Sequence, residues 1–338
     1  MKLVMTLLAR NEADIIDAQI AFHLNAGIDF VVATDNRSDD GTLEILERYE
    51  GAGLLHLIRE AGDDMQQQQW VTRMARLAAT NFEADWVINS DADEFWWPRG
   101  GTLKDVLRLV PARYGVVRGC WRHFVPRPVG DSEFAERMTV RLCTPAHPGD
   151  KSTIYHAHQK AAHRGTPDVE VEAGNHDATG PALEPFRGWH PIEVLHFSLR
   201  SPQQVERKAS GGWIRGTPHE LVAHQLSLDS AAREGRVREF FDQHVVTDAE
   251  LERGLADGTL AVDTRLRDAL RRLRASDGTY RLPGPDSLLT FDAPDVEDTA
   301  AYAAEASVLA SIDGIVRAER RTAALEARLA TLHTLLRR

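Results

Sequence analysis

Cysteine is nearly absent. The 338 residues hold only Cys120 and Cys143. They lack a CxxC spacing, which argues against a structural zinc site, and two cysteines do not make a disulfide scaffold. Long apolar runs are missing as well. The opening stretch MKLVMTLLA breaks off at Arg10 and Asn11, too soon for a signal peptide and without a cleavage region. No segment approaches the roughly 18 apolar residues of a membrane span. A cytoplasmic protein, able to lie peripherally at a membrane, is the expectation. Positive charge is in short supply: 40 Lys and Arg stand against 51 Asp and Glu, for a net charge of −11. So acidic a chain does not attract nucleic acid. Any phosphate it binds must be held locally, by a cation or by a few placed basic groups. Against these absences, a hydrophobic fraction of 43% is enough for a sizeable core.

Hydrophobic patterning predicts strands and helices in alternation. Leu3 to Leu8, Phe30 to Thr34, Leu54 to Ile58 and Asp85 to Ser90 read as strands. Ala13 to Ala26, Thr42 to Tyr49, Gln66 to Asn81 and Thr102 to Leu109 read as helices. Apolar strands separated by helices indicate an α/β fold wound around a largely parallel sheet. Loops that bind ligands lie at the carboxyl ends of such strands. Arg10-Asn11-Glu12, Asp35-Asn36 and Asp91 to Asp93 all fall there. Between Gly115 and Phe197 the pattern turns to short strands broken by Pro and Gly, and a helix starts at Pro202. Residues 216 to 300 are charged and mostly helical. Ala318, Thr322, Leu325, Leu329, Leu332 and Leu336 then form a short heptad seam, which fits either a homodimer coiled coil or a single packed helix.

Asp91-Ala92-Asp93-Glu94 closes the fourth strand. An Asp-x-Asp at a strand end lets two carboxylates face one cation, and hard oxygens suit Mg²⁺ or Mn²⁺. Such a cation can bridge the phosphates of a nucleoside diphosphate and stabilise a leaving group. The bland alternative is a helix cap or a solvated turn, but the flanking Trp86-Val87-Ile88-Asn89 and Phe95-Trp96-Trp97 tie this turn to an apolar strand.

Four blocks resemble a known family. Leu8-Ala9-Arg10-Asn11-Glu12 resembles the opening strand and loop of family 2-like glycosyltransferases. Thr34-Asp35-Asn36-Arg37-Ser38-Asp39-Asp40-Gly41-Thr42 is similar to their Asp-Asn-x-Ser-x-Asp-Gly-Thr loop. Asn89 to Phe95 resembles the Asp-x-Asp-Glu-Phe signature of the branch that includes family 92 (DUF23-like) enzymes. Leu195 to Ser201, continuing to Lys208, resembles the segment that closes that domain. The resemblance implies a GT-A-type mixed sheet flanked by helices over residues 1–215. A helical extension, 216–300, and a C-terminal helix, 301–338, would follow. It implies a metal-dependent transfer of a sugar from a nucleoside diphosphate donor, UDP favoured, to a hydroxyl of a glycan or glycoconjugate acceptor, with inversion.

The implied roles follow residue by residue. Ala9, Arg10, Asn11, Glu12 and Asp35 would contact base and ribose. Asp91 would sit at the diphosphate. Asp91, Asp93 and His196 would hold the metal, Asp93 being the direct ligand. Lys208, or Lys160 and Arg200 nearby, would hold a phosphate. Among the helix-head residues, Gln69 or Arg73 is a candidate to face the donor. An Asp or Glu must deprotonate the acceptor in an inverting reaction, and the Glu-Asp pair common in family 2 is missing. Asp177 is the first candidate, then Glu193 and Glu94. Seven of fourteen histidines lie between His147 and His196. Most are expected to be structural, with His176 kept as a candidate for acceptor or metal. Trp96, Trp97, Trp121 and Trp189 fit either a sugar platform or the core.

Two competing readings stand beside this one. A sugar-nucleotide nucleotidyltransferase would carry a Gly-rich basic loop after the first strand, where this chain has the glycine-free Ala9 to Ala13. A non-catalytic nucleotide- or sugar-binding scaffold would keep the binding residues without turnover.

Overall fold

The structure is a computed structural model. It describes residues 1–294 except 63–65, 129, 131, 147–149, 151, 187–189 and 211–222, and in the tail only 304, 322, 325, 326, 328 and 329. The chain divides into two units. The first comprises 1–186 and 190–293; the second comprises 187–189 and 294–338 and falls almost wholly outside the described residues, as do Ala318, Leu332 and Leu336 of the heptad seam.

The described residues of the first unit form twelve strands and ten helices. In chain order they are β1 (Leu3–Ala9), α1 (Ile16–Asn25), β2 (Phe30–Asp35), α2 (Thr42–Gly51), β3 (Leu55–Arg59), α3 (Gln67–Thr80), β4 (Trp86–Asp91) and β5 (Glu94–Pro98). Next come α4 (Leu103–Arg108), β6 (Val116–His123), α5 (Phe134–Arg137), β7 (Val140–Leu142), β8 (Gln159–Arg164), β9 (Glu170–Val171), β10 (Ala178–Thr179) and β11 (Ile192–His196). Last are α6 (Pro202–Ser210), α7 (Ala223–Arg233), α8 (Val237–Asp242), α9 (Asp248–Asp257), β12 (Leu260–Val262) and α10 (Arg265–Leu273).

Eight strands form one sheet in the order β3-β2-β1-β4-β8-β6-β11-β5. The first four are parallel, as the strand–helix alternation requires. β8 then runs antiparallel between β4 and β6, and β5 runs antiparallel to β11. The sheet is therefore mixed. β1 is buried along its whole length, as expected of a strand covered on both faces. α3 closes one face by burying Trp70, Val71, Met74, Ala75 and Ala78 against Val4, Val32 and Val87. An aromatic cluster fills another part of the core. Phe22 of α1 packs on Phe95 and Trp97 of β5, and Trp97 meets Phe291 edge to face at 4.7 Å.

Residues 223–293 pack into this same unit. β12 pairs with β7. Phe240 and Phe241 of α8 are buried with Leu199 and Val205. The Leu289 amide donates to the Asn25 carbonyl at the end of α1. No described helix is long and apolar enough to cross a membrane.

Candidate active site

Strand register assembles the site. Ala9 is opposite Asp35 and Leu8 is opposite Asp91, so β1, β2 and β4 end together. On the other half of the sheet His196 is opposite both His123 and Glu94. Lys160, the second residue of β8, is opposite Gly119. Alternation of side chains then puts Lys160, Trp121, His123, His196 and Glu94 on one face. Five residues from four strands, β5, β6, β8 and β11, meet because the sheet is mixed.

The chain bends at Ala92 and Asp93 between β4 and β5, and Lys160 lies behind the bend. Lys160 is 1% exposed. Its Nζ donates to Asp91 Oδ2 at 2.5 Å and to the Gly174 carbonyl at 2.6 Å, and lies 2.9 Å from Glu94 Oε1. These three acceptors satisfy an ammonium group completely. Burial opposes its charge, but Asp91 and Glu94 outweigh this and hold its pKa above the ordinary 10.5. Asp91 Oδ1 accepts from Asn175 Nδ2 at 2.9 Å. The Gly174–Asn175 turn that supplies these groups needs glycine, because Gly174 has φ +75° and a Cβ there would sit 2.5 Å from His176 Nε2. Glu94 also accepts from Trp121 Nε1 at 2.8 Å and from the Asp91 amide at 3.2 Å. Burial, with Asp91 and Asp93 adding to it against Lys160, pushes its pKa up to about 8.

Asp93 faces another way. Its Oδ2 accepts from Lys208 Nζ at 2.7 Å and lies 3.8 Å from Arg200 Nη1. Burial would raise its pKa, but Lys208 and Arg200 hold it well below the usual carboxylate range. Its Oδ1 is 3.8 Å from His196 Nε2. The protonation of that histidine follows from a short relay. His123 Nε2 lies 2.9 Å from the His156 carbonyl, so it must donate; His123 Nδ1 is then the acceptor for His196 Nδ1 at 3.3 Å. Burial keeps both rings neutral, with the His123 pKa at about 4 and that of His196 well below 6.5. His196 Nε2 therefore points a lone pair toward an ionised carboxylate. A divalent cation fits between such atoms. Among the described residues no three His, Cys, Asp or Glu side chains are gathered to hold a metal unaided. Two protein ligands completed by substrate phosphate and water are nonetheless a usual arrangement for Mg²⁺.

The expected donor residues divide into two groups. Arg10 Nε, Asp35 Oδ1 and both amide atoms of Asn36 are buried without a hydrogen-bond partner. Each is costly to bury unless something satisfies it. Asn11 and Glu12 are occupied in holding loops together. The Asn11 amide donates to Ser38 Oγ at 3.0 Å and its Oδ1 accepts from the Asp39 amide at 2.9 Å. The Glu12 amide donates to Thr42 Oγ1 at 2.8 Å, and its carboxylate pairs with Arg200. Arg200 in turn donates to Asp14 at 2.7 Å. The Ala9 carbonyl accepts from the Asn36 amide at 2.9 Å. Asp40 closes the loop by accepting from Thr42 at the start of α2. Arg73 is on the exposed side of α3 and pairs with Glu60, whose amide donates to the Asp35 carbonyl.

Several expectations are corrected. Asp91, expected at the metal, has both oxygens engaged by Lys160 and Asn175. Each of the three candidate bases is paired in this structure. Glu94 is enclosed by Lys160 and Trp121. Asp177 is paired with Arg118 at 2.8 Å and accepts from the Ala178 amide. Glu193, three positions from His196 on β11, projects from the opposite face and is surrounded by Arg99, Arg122 and Arg265. Trp96 and Trp97 are core residues, and His147 and Trp189 lie outside the described residues. Trp121 alone among the described candidate tryptophans enters the site. It stacks on His196 at 4.3 Å and meets His158 and His176 edge-on. His176 itself stacks on His158 at 3.5 Å, and its Nδ1 is 2.9 Å from the Gln159 carbonyl. Asn175 and His123 were missed in the sequence, where an isolated Asn or His has no periodic signal.

Residues 5–125 match the model of glycosyltransferase family 92. The resemblance expected from the motif blocks is borne out over that segment, and the mixed α/β sheet expected with it is present. A comparison with curated proteins gave no match. Among solved structures the chain is similar to residues 1–349 of S. aureus TarS in complex with UDP-GlcNAc. The two are 14% identical over 69% of this chain and 71% of that one, with a TM-score of 0.35. It is also similar to glucosyl-3-phosphoglycerate synthase from Mycobacterium tuberculosis, in complex with Mn²⁺, UDP and glucosyl-3-phosphoglycerate. That pair is 19% identical over 36% of this chain and 44% of that one, with a TM-score of 0.24.

Proposed function

We propose that this glycosyltransferase moves a sugar from a nucleoside diphosphate donor to an acceptor hydroxyl and uses a divalent cation, Mn²⁺ or Mg²⁺, to do so. The observation that supports it best is the pairing of ionised Asp93 with the lone pair of neutral His196 at the edge where β1, β2 and β4 end. Asp93 and His196 would hold the cation. When bound, the cation supplies charge stabilisation to the departing diphosphate. Lys208, 2.7 Å from Asp93, adds a positive charge for the same phosphates. Arg200, fixed by Glu12 and Asp14, orients that end of the site. The unpartnered atoms of Arg10, Asp35 and Asn36 receive the base and ribose, UDP being the nucleotide that the family resemblance favours. Trp121 with His158 and His176 forms the acceptor side, where an aromatic face suits a sugar ring.

Calorimetric titration of UDP and GDP, with and without Mn²⁺, tests this reading. Metal-dependent binding of one nucleotide, lost in Asp93→Asn, is the expected result. Failure of both nucleotides to bind under any metal condition overturns it.

A further inference from the structure

The donor-site reading leaves Lys160 unexplained. A buried lysine is costly unless its charge is compensated, yet here one stands behind an acidic turn that is meant to attract cations. Its effect is visible at Asp91. Lys160 takes one oxygen at 2.5 Å, and Asn175, from the turn whose carbonyl also binds Lys160, takes the other at 2.9 Å. Asp93, two residues on, differs. Only its Oδ2 meets a lysine, and its Oδ1 faces His196. The two aspartates of one short turn are thus sorted by their neighbours, one to an internal ammonium and one to the cation.

We propose that Lys160 is a positioning residue that withholds Asp91 from the metal, so that the cation is captured together with the donor diphosphate. One carboxylate and one neutral imidazole leave a hard cation mostly hydrated and weakly held, and diphosphate oxygens supply the missing ligands. The inference rests on the donor-site reading above. It differs from a purely structural role for Lys160, which would leave cation affinity unmoved.

The test is Mn²⁺ titration of the full chain, followed by the electron paramagnetic resonance of free Mn²⁺, with and without UDP. In the wild type, saturating UDP should tighten Mn²⁺ by about tenfold or more, and Mn²⁺ should tighten UDP by the same factor. Lys160→Met removes the ammonium at similar length and releases Asp91. Mn²⁺ alone should then bind about tenfold tighter, and the enhancement by UDP should shrink. Asp91→Asn, which leaves Lys160 in place, should keep Mn²⁺ affinity in the presence of UDP within about threefold, whereas Asp93→Asn should lose about a hundredfold. The aspartate pair decides the matter if Lys160→Met does not fold. Unchanged Mn²⁺ binding in folded Lys160→Met, or equal losses in the two aspartate variants, overturns the inference while UDP binding still supports the donor site. Absence of UDP binding in the wild type overturns both.

Discussion

Glu193 separates a structural from a catalytic reading by a single substitution. It is 3% exposed. Its Oε1 is 2.8 Å from Arg122 Nε and 3.1 Å from Arg99 Nη1, and its Oε2 is 2.8 Å from Arg265 Nη1. Burial opposes its charge, but Arg122, Arg265 and Arg99 prevail and lower its pKa from 4.5 to about 2. At about 1.4 kcal/mol for each tenfold change in proton affinity, that fall corresponds to roughly 3 kcal/mol of folding stability. The figure agrees with the roughly 3–5 kcal/mol lost when a buried ion pair is broken from one side. Glu193→Gln keeps the shape and removes the charge, leaving three guanidinium groups around a neutral amide. At pH 7 the melting temperature should fall by roughly 5–10 °C, while transfer activity measured well below the transition should survive. The sign with pH follows from the depressed pKa. The stabilisation is fully present above pH 4.5 and is lost as pH falls toward about 2, so wild type and variant should converge in acid. A variant that melts with the wild type refutes the argument. Loss of transfer at unchanged stability would return Glu193 to the list of bases.

Three further outcomes are expected. His123→Phe removes the acceptor that fixes the His196 tautomer, so Mn²⁺ binding in the presence of UDP should weaken by about tenfold or more, with circular dichroism unchanged. Asp35→Ala removes a buried carboxylate oxygen that has no partner. UDP affinity by calorimetry should fall by about tenfold while stability falls by only about 1 kcal/mol, the cost of the Ser38 amide hydrogen bond that Asp35 Oδ2 accepts at 3.2 Å. Trp121→Phe keeps a ring beside His196 but deletes the 2.8 Å donor to Glu94. Leaving that buried acceptor less satisfied should cost roughly 1–3 kcal/mol in denaturant unfolding.

The parallel half of the fold was legible in the sequence because local patterning carries it. The predicted strands 3–8, 30–34, 54–58 and 85–90 match β1 to β4 within about a residue at each end. Parallel strands buried on both faces are continuous apolar runs, and the helices between them are long enough to show a period. The loops at their carboxyl ends were readable for the same reason. Once a strand's direction is known, its polar end is known too. Asp93 and His196 were identified through motif resemblance and lie 3.8 Å apart.

Tertiary structure decided the rest. The described residues of 115–197 form six strands of three sheets with turns between them, and their pairing depends on contacts far apart in the chain. Only the antiparallel entry of β8 between β4 and β6 brings Lys160 to Asp91, 69 residues away. Nothing local distinguishes Asp91 from Asp93, since both are aspartates in one turn. The neighbours that separate them, Lys160 and Asn175 for one and Lys208 and His196 for the other, arrive from other strands and loops. The same holds for the three carboxylates expected as bases. A carboxylate's chemistry is set by what faces it, and Glu94, Asp177 and Glu193 each meet a lysine or arginine that only the folded sheet delivers. Residue type and periodicity therefore determined the sheet edge at which a ligand can bind. Charge compensation across the mixed half of the sheet determined what each acid there faces: Lys160 and Asn175 for Asp91, Lys208 and His196 for Asp93.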